Sequence, residues 1–384
     1  MRITIVTGAF LPLPPAACGA VEVLWNELAH EFAAQGHEVT MVSRAWPDQM
    51  ANETIGRVRY IRRSGFKRTN NLKINLLKDA VFSARIMLSV PKSDICVTNV
   101  FWLPALLASM RRSAGQIVVN VARAPKGQMG LYRFVSRLAC TSSAVAEQVI
   151  AQTPSVAGIT KVLPNPINTK AFVPPAAPRQ WNGKRYVVYT GRIHPEKGVH
   201  VLVEAFGRLP NRPNDLTLRI VGPSETSRGG GGEEYLAKLK SLGQNLPVEF
   251  LPAIADRNQL AHLLQNAHYY CYPSLAEKGE SFGVAPLEAM ATGLAPIVSD
   301  LACFRDFVQH GVNGVIFDHR NDPVESLTRA LTGQLADTND IIRMGQAAAE
   351  TALQFSNSRV AQMFLEDFEL LLEARTQKTR ERAL

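Results

Sequence analysis

The sequence predicts an α/β protein with two domains, each built on a doubly wound parallel β-sheet with helices on both faces. Strand and helix patterns alternate through both halves of the chain, which is typical of parallel sheets. The 384 residues exceed the size of one hydrophobic core. Prolines and a glycine interrupt both periodicities at 173–183, which makes this segment the best linker candidate. The predicted domains are therefore residues 1–172 and 184–355.

Short apolar runs and helical periodicity locate the individual elements. In the first half, strands are predicted at 3–7, 38–43, 58–61, 95–99, 117–121 and 161–163, and helices at 21–35, 73–88, 103–112 and 143–151. In the second half, strands are predicted at 186–189, 216–221, 248–251, 269–272, 296–299 and 315–317, with helices between them. A last helix is predicted at 359–375. Ligands of such sheets bind beyond the carboxyl ends of the strands.

Two cations follow the strand pattern at 186–189, in the segment G-R-I-H-P-E-K-G at 191–198. Arg192 and Lys197 would face one point between the end of the strand and the start of the next helix. Arginine binds two phosphate oxygens and lysine acts as a point charge, so the pair suits a diphosphate. Each attraction is about 4 kcal/mol at roughly 4 Å and an effective dielectric constant of about 20. The alternative is an exposed loop with ordinary surface cations.

Two glutamates flank a second turn, in the segment E-S-F-G-V-A-P-L-E at 280–288. Pro286 suits the first turn of a helix, so Glu280 would lie in the preceding loop and Glu288 near the positive end of the helix dipole. Both carboxylates could then face one ligand. The alternative is that Glu280 is a solvated charge and that Glu288 only complements the dipole.

Four segments in order resemble the motifs of retaining glycosyltransferases of family 4. The segment 191–198 resembles the G-R-x-x-x-x-K-G motif, and 273–293 resembles the E-x7-E motif with its trailing E-A-M-A-x-G. L-P-N-P-I-N at 163–168 with Phe172 resembles P-N-x-x-D-x-x-F, with Asn168 in place of Asp, and C-G-A-V-E at 18–22 resembles G-G-x-E with the second glycine replaced. The resemblance implies the GT-B architecture: two Rossmann-like domains facing across a cleft, with a C-terminal helix, about 356–384, that crosses back to the first domain.

The resemblance also implies an activity: retaining transfer of a hexose from a UDP- or GDP-linked sugar to a glycan or lipid-linked acceptor, in bacterial cell-surface polysaccharide or lipopolysaccharide synthesis. Arg192 and Lys197 would stabilise the leaving diphosphate, Glu280 would contact the donor sugar, and Glu288 would bind the ribose. The predicted catalytic residues are Arg192, Lys197 and Glu280. The predicted donor-binding residues are Gly19, Ala20, Gly191, Arg192, Lys197, Glu280, Ser281, Phe282, Gly283, Val284 and Glu288.

The first domain departs from the family pattern in one place. Family members often carry a histidine after a central strand, whereas this chain reads V-N-V-A-R-A-P-K-G-Q at 119–128, with Ala122 in that position. Asn99, Arg123 and Lys126 are the candidates for the acceptor side, with surface charge as the alternative for the two cations. The missing histidine leaves open a non-catalytic nucleotide-sugar-binding scaffold. The pair Arg192 and Lys197 alone does not exclude hydrolase or epimerase chemistry.

The positive charge is concentrated in the first domain. Residues 1–170 carry a net charge of +11, and the rest of the chain carries −2. Between Arg57 and Lys92 lie ten basic residues and one acid, Asp79, with apolar residues interleaved. This composition favours binding to an anionic membrane surface. The alternatives are a solvated basic face and nucleic acid, but no nucleic-acid motif accompanies the charge, so no nucleic-acid partner is predicted.

No metal and no cofactor are expected besides the sugar nucleotide, because the chain has no D-x-D triplet and the two cations would replace the ion. Five scattered cysteines fit reduced thiols, and no membrane-spanning run or cleaved leader is evident. A cytoplasmic protein is predicted, which the basic segment would bring to the inner face of the membrane. The glycine run 229–232 lacks phosphate-loop spacing and is predicted to be a flexible loop.

Overall fold

The computed structural model describes residues 1–14, 19–181 and 183–381, without the side chains of 378–380. The chain forms two compact units. The first comprises residues 1–166 and the C-terminal segment from Asn357, and the second comprises Ile167–Ser356. Each unit is built on one predominantly parallel sheet with helices, which confirms the predicted fold class.

The first unit contains an eight-stranded sheet in the order β3-β4-β2-β1-β5-β6-β7-β8. Its strands are β1 (Arg2–Val6), β2 (Glu38–Arg44), β3 (Asn52–Ile55), β4 (Val58–Arg63), β5 (Ile95–Thr98), β6 (Gln116–Val121), β7 (Arg137–Cys140) and β8 (Thr160–Val162). Its first four helices are α1 (Ala20–Ala34), α2 (Leu72–Met87), α3 (Leu103–Met110) and α4 (Ser143–Gln152). All neighbouring strands are parallel except β3 and β4.

The edge strand β3 is missing from the predicted elements. Its four residues read N-E-T-I, and three of them are exposed. Neither an apolar run nor a buried alternating face marks such a strand; its pairing with β4 is supported by an ion pair between Glu53 and the buried Arg62 of β4.

The second unit contains a six-stranded, all-parallel sheet in the order β11-β10-β9-β12-β13-β14. Its strands are β9 (Arg185–Thr190), β10 (Leu216–Val221), β11 (Val248–Leu251), β12 (Tyr269–Tyr272), β13 (Pro296–Ser299) and β14 (Val315–Phe317). Its helices are α5 (Val199–Gly207), α6 (Gly232–Leu242), α7 (Arg257–Gln265), α8 (Val284–Ala291), α9 (Pro323–Ala336) and α10 (Thr338–Leu353). The strand order reverses between β9 and β12, which is where ligands of such sheets bind.

The last helix, α11 (Asn357–Glu381), belongs to the first unit, as predicted. Phe364 meets the ring of Trp25 on α1 edge-on, with ring centroids 5.2 Å apart. The fully buried Asp367 accepts hydrogen bonds from Arg137 and Lys161, at 2.9 Å each. Aromatic packing and a buried charge with two cations together dock this helix.

The predicted linker at 173–183 lies inside the second unit. Arg179 donates hydrogen bonds to the backbone oxygens of Ala267, Thr292 and Gly293, at 2.7, 2.6 and 3.1 Å. One guanidinium thus ties the segment to two loops of that unit. The compact units divide instead between Pro166 and Ile167, before the proline-rich stretch.

Candidate functional site

The two motif loops of the second unit emerge from neighbouring strands. β9 and β12 pair in parallel, with Val187 opposite Tyr269 and Val188 opposite Tyr270. The loop with the two cations follows β9, and the loop with Glu280 follows β12. Because parallel strands end at the same edge of a sheet, both loops lie at the reversal of strand order.

Arg192 is held from two directions. Its Nη2 lies 2.7 Å from Oε1 of Glu196, and its Nη1 donates a hydrogen bond of 2.8 Å to the backbone oxygen of Gly229. The side chain is 41% exposed, so the guanidinium is still accessible to a ligand. Between the two cations, His194 Nδ1 accepts a hydrogen bond from the backbone N–H of Glu196, which is consistent with a spacer role.

Lys197 and Glu280 form a buried ion pair. Nζ of Lys197 lies 2.7 Å from Oε2 of Glu280, and the two side chains are only 6% and 9% exposed. The ring of Tyr272 lies below the ammonium group, with the centroid 5.6 Å from Nζ. The structure thus brings together one cation and one carboxylate that are far apart in the sequence. Each group offsets the cost of burying the other.

Gly198 allows this approach. It has a φ of +65°, and a Cβ at this position would lie 1.9 Å from the backbone oxygen of Pro273. The loop after β9 therefore contacts the loop after β12 through backbone, which only a glycine permits.

The second glutamate lies on α8. Gly283, with a φ of +98°, precedes the helix, and Val284 is its first residue. Glu288 is buried, and its Oε1 lies 2.8 Å from Nη1 of Arg257, the first residue of α7. Phe282 is buried between the rings of Phe307 and Phe355, while Ser281 precedes it in the same loop. The start of α8 directs backbone N–H groups toward this edge of the sheet.

Two tyrosines, Tyr189 and Tyr272, contact the residues that carry the two cations. The rings of Tyr189 and Tyr272 stack at 13°, with centroids 5.6 Å apart. The hydroxyl of Tyr189 donates a hydrogen bond of 2.8 Å to the backbone oxygen of Arg192. Burial raises the pKa of both phenols well above the usual value, so both remain protonated donors. Their roles were not predicted, although Y-V-V-Y and Y-Y-C-Y mark both strands as rich in aromatic residues.

The glycine run 229–232 packs tightly, so the prediction of a flexible loop is wrong. The backbone N–H of Gly231 donates a hydrogen bond of 2.8 Å to the oxygen of Ile193. A Cβ on Gly230 would lie 2.2 Å from the carbonyl carbon of Ser224. Without side chains, the run can approach the Arg192 loop closely enough for backbone hydrogen bonds.

In the first unit, the candidates follow β1, β5 and β6. Gly19 precedes α1 and Ala20 begins it, whereas Cys18 of the same motif lies outside the described residues. Glu22 on α1 is nearly buried, and this burial raises the pKa of its carboxyl group, while the charge of Arg123 lowers it. The carboxylate of Glu22 therefore lies in the same region as the predicted cation Arg123. Glu22 belongs to the C-G-A-V-E motif, but it was not among the predicted site residues.

The polar groups after β5 and β6 pair with one another. Asn99 Oδ1 accepts a hydrogen bond of 2.7 Å from Nδ2 of Asn120. Arg123 and Lys126 follow β6 and are exposed. Within the described residues, no group of three or more His, Cys, Asp or Glu side chains is arranged to hold a metal ion.

Comparison with protein families places a match on the second unit: residues 176–351 match the family Glycosyl transferases group 1. The chain is 31% identical to a D-inositol 3-phosphate glycosyltransferase of Jonesia denitrificans, over 53% of this chain and 49% of that protein. It is 34% identical to a phosphatidyl-myo-inositol mannosyltransferase of Mycobacterium tuberculosis, over 50% of this chain and 48% of that protein. It is 28% identical to a lipopolysaccharide 1,2-N-acetylglucosaminetransferase of Salmonella typhimurium, over 47% of each. The chain spans about half the length of these curated relatives.

Solved structures match nearly the whole chain. Sucrose-phosphate synthase from Thermosynechococcus elongatus superposes with a TM-score of 0.76 at 23% identity, covering 97% of this chain and 99% of that one. Anabaena HepE in complex with UDP and glucose superposes with a TM-score of 0.72 at 19% identity, covering 96% and 99%. Residues 176–351 therefore carry the match to the glycosyl transferases group 1 family, and the chain as a whole has the GT-B fold.

Proposed function

We propose that this protein is a retaining, metal-independent glycosyltransferase. It moves a hexose from a UDP- or GDP-linked sugar to a glycan or lipid-linked acceptor in the synthesis of bacterial cell-surface polysaccharide or lipopolysaccharide. The observation that carries the proposal is the buried pair of Lys197 and Glu280 beside Arg192, where the strand order of the second sheet reverses.

The chemistry follows from the charges. Breaking the bond between the anomeric carbon and the diphosphate leaves negative charge on the leaving group. Arg192 and Lys197 stabilise this charge, and they are already oriented by Glu196, Glu280 and the backbone of Gly229 before the reaction. Glu280 binds hydroxyl groups of the donor sugar, and Glu288 binds the ribose. The reaction needs no metal ion, because the two cations supply the positive charge.

The names of similar proteins support both substrates. The mycobacterial relative is named for mannosyl transfer to phosphatidyl-myo-inositol, and the Salmonella relative for transfer to lipopolysaccharide. The Anabaena structure contains UDP and glucose. These names favour a sugar nucleotide as donor and a lipid-linked or glycan acceptor for the present chain.

A second candidate is a non-catalytic nucleotide-sugar-binding scaffold. The segment 119–128 contains no histidine, and its Asn120 donates a hydrogen bond to Asn99. A protein with this first unit and an intact second unit would hold a donor without transferring the sugar.

Release of free nucleoside diphosphate distinguishes the two candidates. The protein is incubated with UDP-, GDP- and ADP-linked hexoses, with and without lipid-linked acceptors, in the presence and absence of EDTA. The transferase releases diphosphate from at least one donor, faster with acceptor, and EDTA leaves the rate unchanged within about twofold because Arg192 and Lys197 replace the ion. Tight diphosphate binding with no release from any donor supports the scaffold. Loss of activity in EDTA contradicts the metal-independent mechanism.

We also propose that α2 places the protein on the inner face of the cytoplasmic membrane. No helix in the described part of the chain is long and apolar enough to span a bilayer. Instead, α2 and the residue that follows it expose an apolar stripe beside basic residues. Leu77 and Leu88 are 66% and 77% exposed, and Lys73 and Arg85 flank the stripe. An exposed apolar stripe with basic neighbours is what an interfacial helix presents to anionic lipid.

Sedimentation with vesicles tests this placement. Reversing the charges of Lys73 and Arg85 to Glu should weaken binding to anionic vesicles by at least about tenfold, since each nearby cation contributes about 1 kcal/mol. The control reverses the exposed Lys238 and Lys240 on α6, with the same change in net charge. Equal losses of vesicle binding in both variants would mean that only overall charge matters. Binding to neutral vesicles but not to anionic vesicles would exclude the electrostatic contribution.

A further inference from the structure

Arg257, which no motif includes, lies against the predicted ribose-binding glutamate. It is the first residue of α7, after Asp256, whose side chain accepts hydrogen bonds from the backbone N–H groups of Asn258 and Gln259. This cap fixes the start of the helix, and therefore the point from which the arginine side chain extends.

The guanidinium group of Arg257 has two partners. Its Nη1 lies 2.8 Å from Oε1 of Glu288, and its Cζ lies 4.9 Å from the centroid of the Phe172 ring. Phe172 is 1% exposed, so the ring itself is fixed by the core of the second unit. Stacking on the ring face favours one orientation of the planar cation beside Glu288.

The two members of the ion pair differ in exposure. The side chain of Glu288 is 5% exposed, whereas that of Arg257 is 38% exposed. A charged partner offsets the cost of burying a carboxylate, and the partly exposed Arg257 provides one. Arg257 is thus the member of the pair that remains accessible to a ligand.

From this geometry we infer that Arg257 is a positioning residue for nucleotide binding: stacked on Phe172, it holds the Glu288 carboxylate in the orientation that accepts hydrogen bonds from the ribose hydroxyls of a nucleoside diphosphate. The inference rests on the proposed function, since it needs Glu288 to bind ribose. It also gives Phe172 a role, as the ring that orients the arginine.

Ribose discrimination tests the inference. Binding of UDP, GDP and ADP to the full chain is measured by titration calorimetry, and the tightest of the three is compared with its 2′,3′-dideoxy counterpart. Hydrogen bonds to a charged group should make the wild-type protein prefer the ribonucleotide about ten- to a hundredfold. Arg257→Met should reduce this preference to within about threefold, while affinity for the dideoxy compound changes by less than about twofold.

Three further variants complete the design. Glu288→Ala should lose the same preference, and the double variant Arg257→Met with Glu288→Ala should lose no more than Glu288→Ala alone, because the two residues act as a unit. Arg257→Lys keeps the charge but not the planar stacking group, so it should retain part of the preference for the ribonucleotide that Arg257→Met loses. If Arg257→Met does not fold, Arg257→Lys is tested in its place. Arg329→Met, at an exposed arginine of α9, is the matched control and should bind as the wild type does.

The possible outcomes separate this role from the proposed function. If Arg257→Met keeps the wild-type preference, weakens both ligands equally, or binds the ribonucleotide more tightly, the positioning role is overturned while the proposed function stands. If the wild-type protein binds none of the three diphosphates, the proposed function fails, and the role of Arg257 fails with it. If the wild-type protein binds without preference for the ribonucleotide, both the ribose role of Glu288 and its positioning by Arg257 are overturned.

Discussion

Replacing Lys197 by Met is expected to lower the turnover of the proposed sugar transfer by about 10²- to 10³-fold, the effect of removing one preorganised group that stabilises charge in a transition state. The ammonium group lies 2.7 Å from Glu280 and is nearly buried, so it is held in place by protein contacts before a ligand binds. Arg192→Met should cause a loss of the same order, because in the proposed mechanism both cations stabilise the leaving diphosphate. The measurement is steady-state turnover at saturating donor, with the donor identified by diphosphate release.

A comparison of stability separates catalysis from folding. Loss of Lys197 leaves the carboxylate of Glu280 buried without its cation, which should lower the free energy of unfolding by about 3–5 kcal/mol. Loss of the half-exposed Arg192 should cost about 1 kcal/mol or less. Lys238→Met, at an exposed lysine of α6, should change neither quantity. Wild-type turnover in a folded Arg192→Met protein would contradict the assignment of the cations.

Replacing Gly198 by Ala is expected to destabilise the second unit by about 2–5 kcal/mol. A left-handed backbone costs a non-glycine residue about 1–2 kcal/mol, and forcing an extra carbon into packed structure costs about 1–3 kcal/mol more. The added Cβ would lie 1.9 Å from the oxygen of Pro273, so the loops after β9 and β12 must separate. Urea unfolding measures the loss. Diphosphate binding should weaken as well, because Lys197 and Glu280 lie on these two loops.

Gly311 provides the matched control for this substitution. Its φ is +74°, close to that of Gly198, but a Cβ there would meet no atom within 4 Å. Gly311→Ala should therefore lower the free energy of unfolding by only the cost of a left-handed backbone, about 1–2 kcal/mol, and should leave diphosphate binding intact. Equal losses at the two positions would show that the contact with Pro273 is unimportant.

Much of the fold was predictable because its signals are local. Alternating apolar runs and helical spacing located both sheets, and the predicted bounds of the first four helices agree with the structure to within two residues. The strand β3 was not predictable, since N-E-T-I is polar and mostly exposed. The linker at 173–183 was misplaced for a related reason. Its prolines indicate irregular backbone, but they do not indicate that Arg179 ties this backbone to the second unit.

The candidate site divides in the same way. The sequence by itself determined which residue types follow each strand: two cations after β9, a glutamate after β12 and another on α8. Tertiary structure determined which of them meet, because the pairing of β9 with β12 brings Lys197 to Glu280, and the start of α7 brings Arg257 to Glu288. Contacts between residues far apart in the chain depend on strand order and backbone approach, as at Gly198 and Gly230, and neither property has a local sequence pattern.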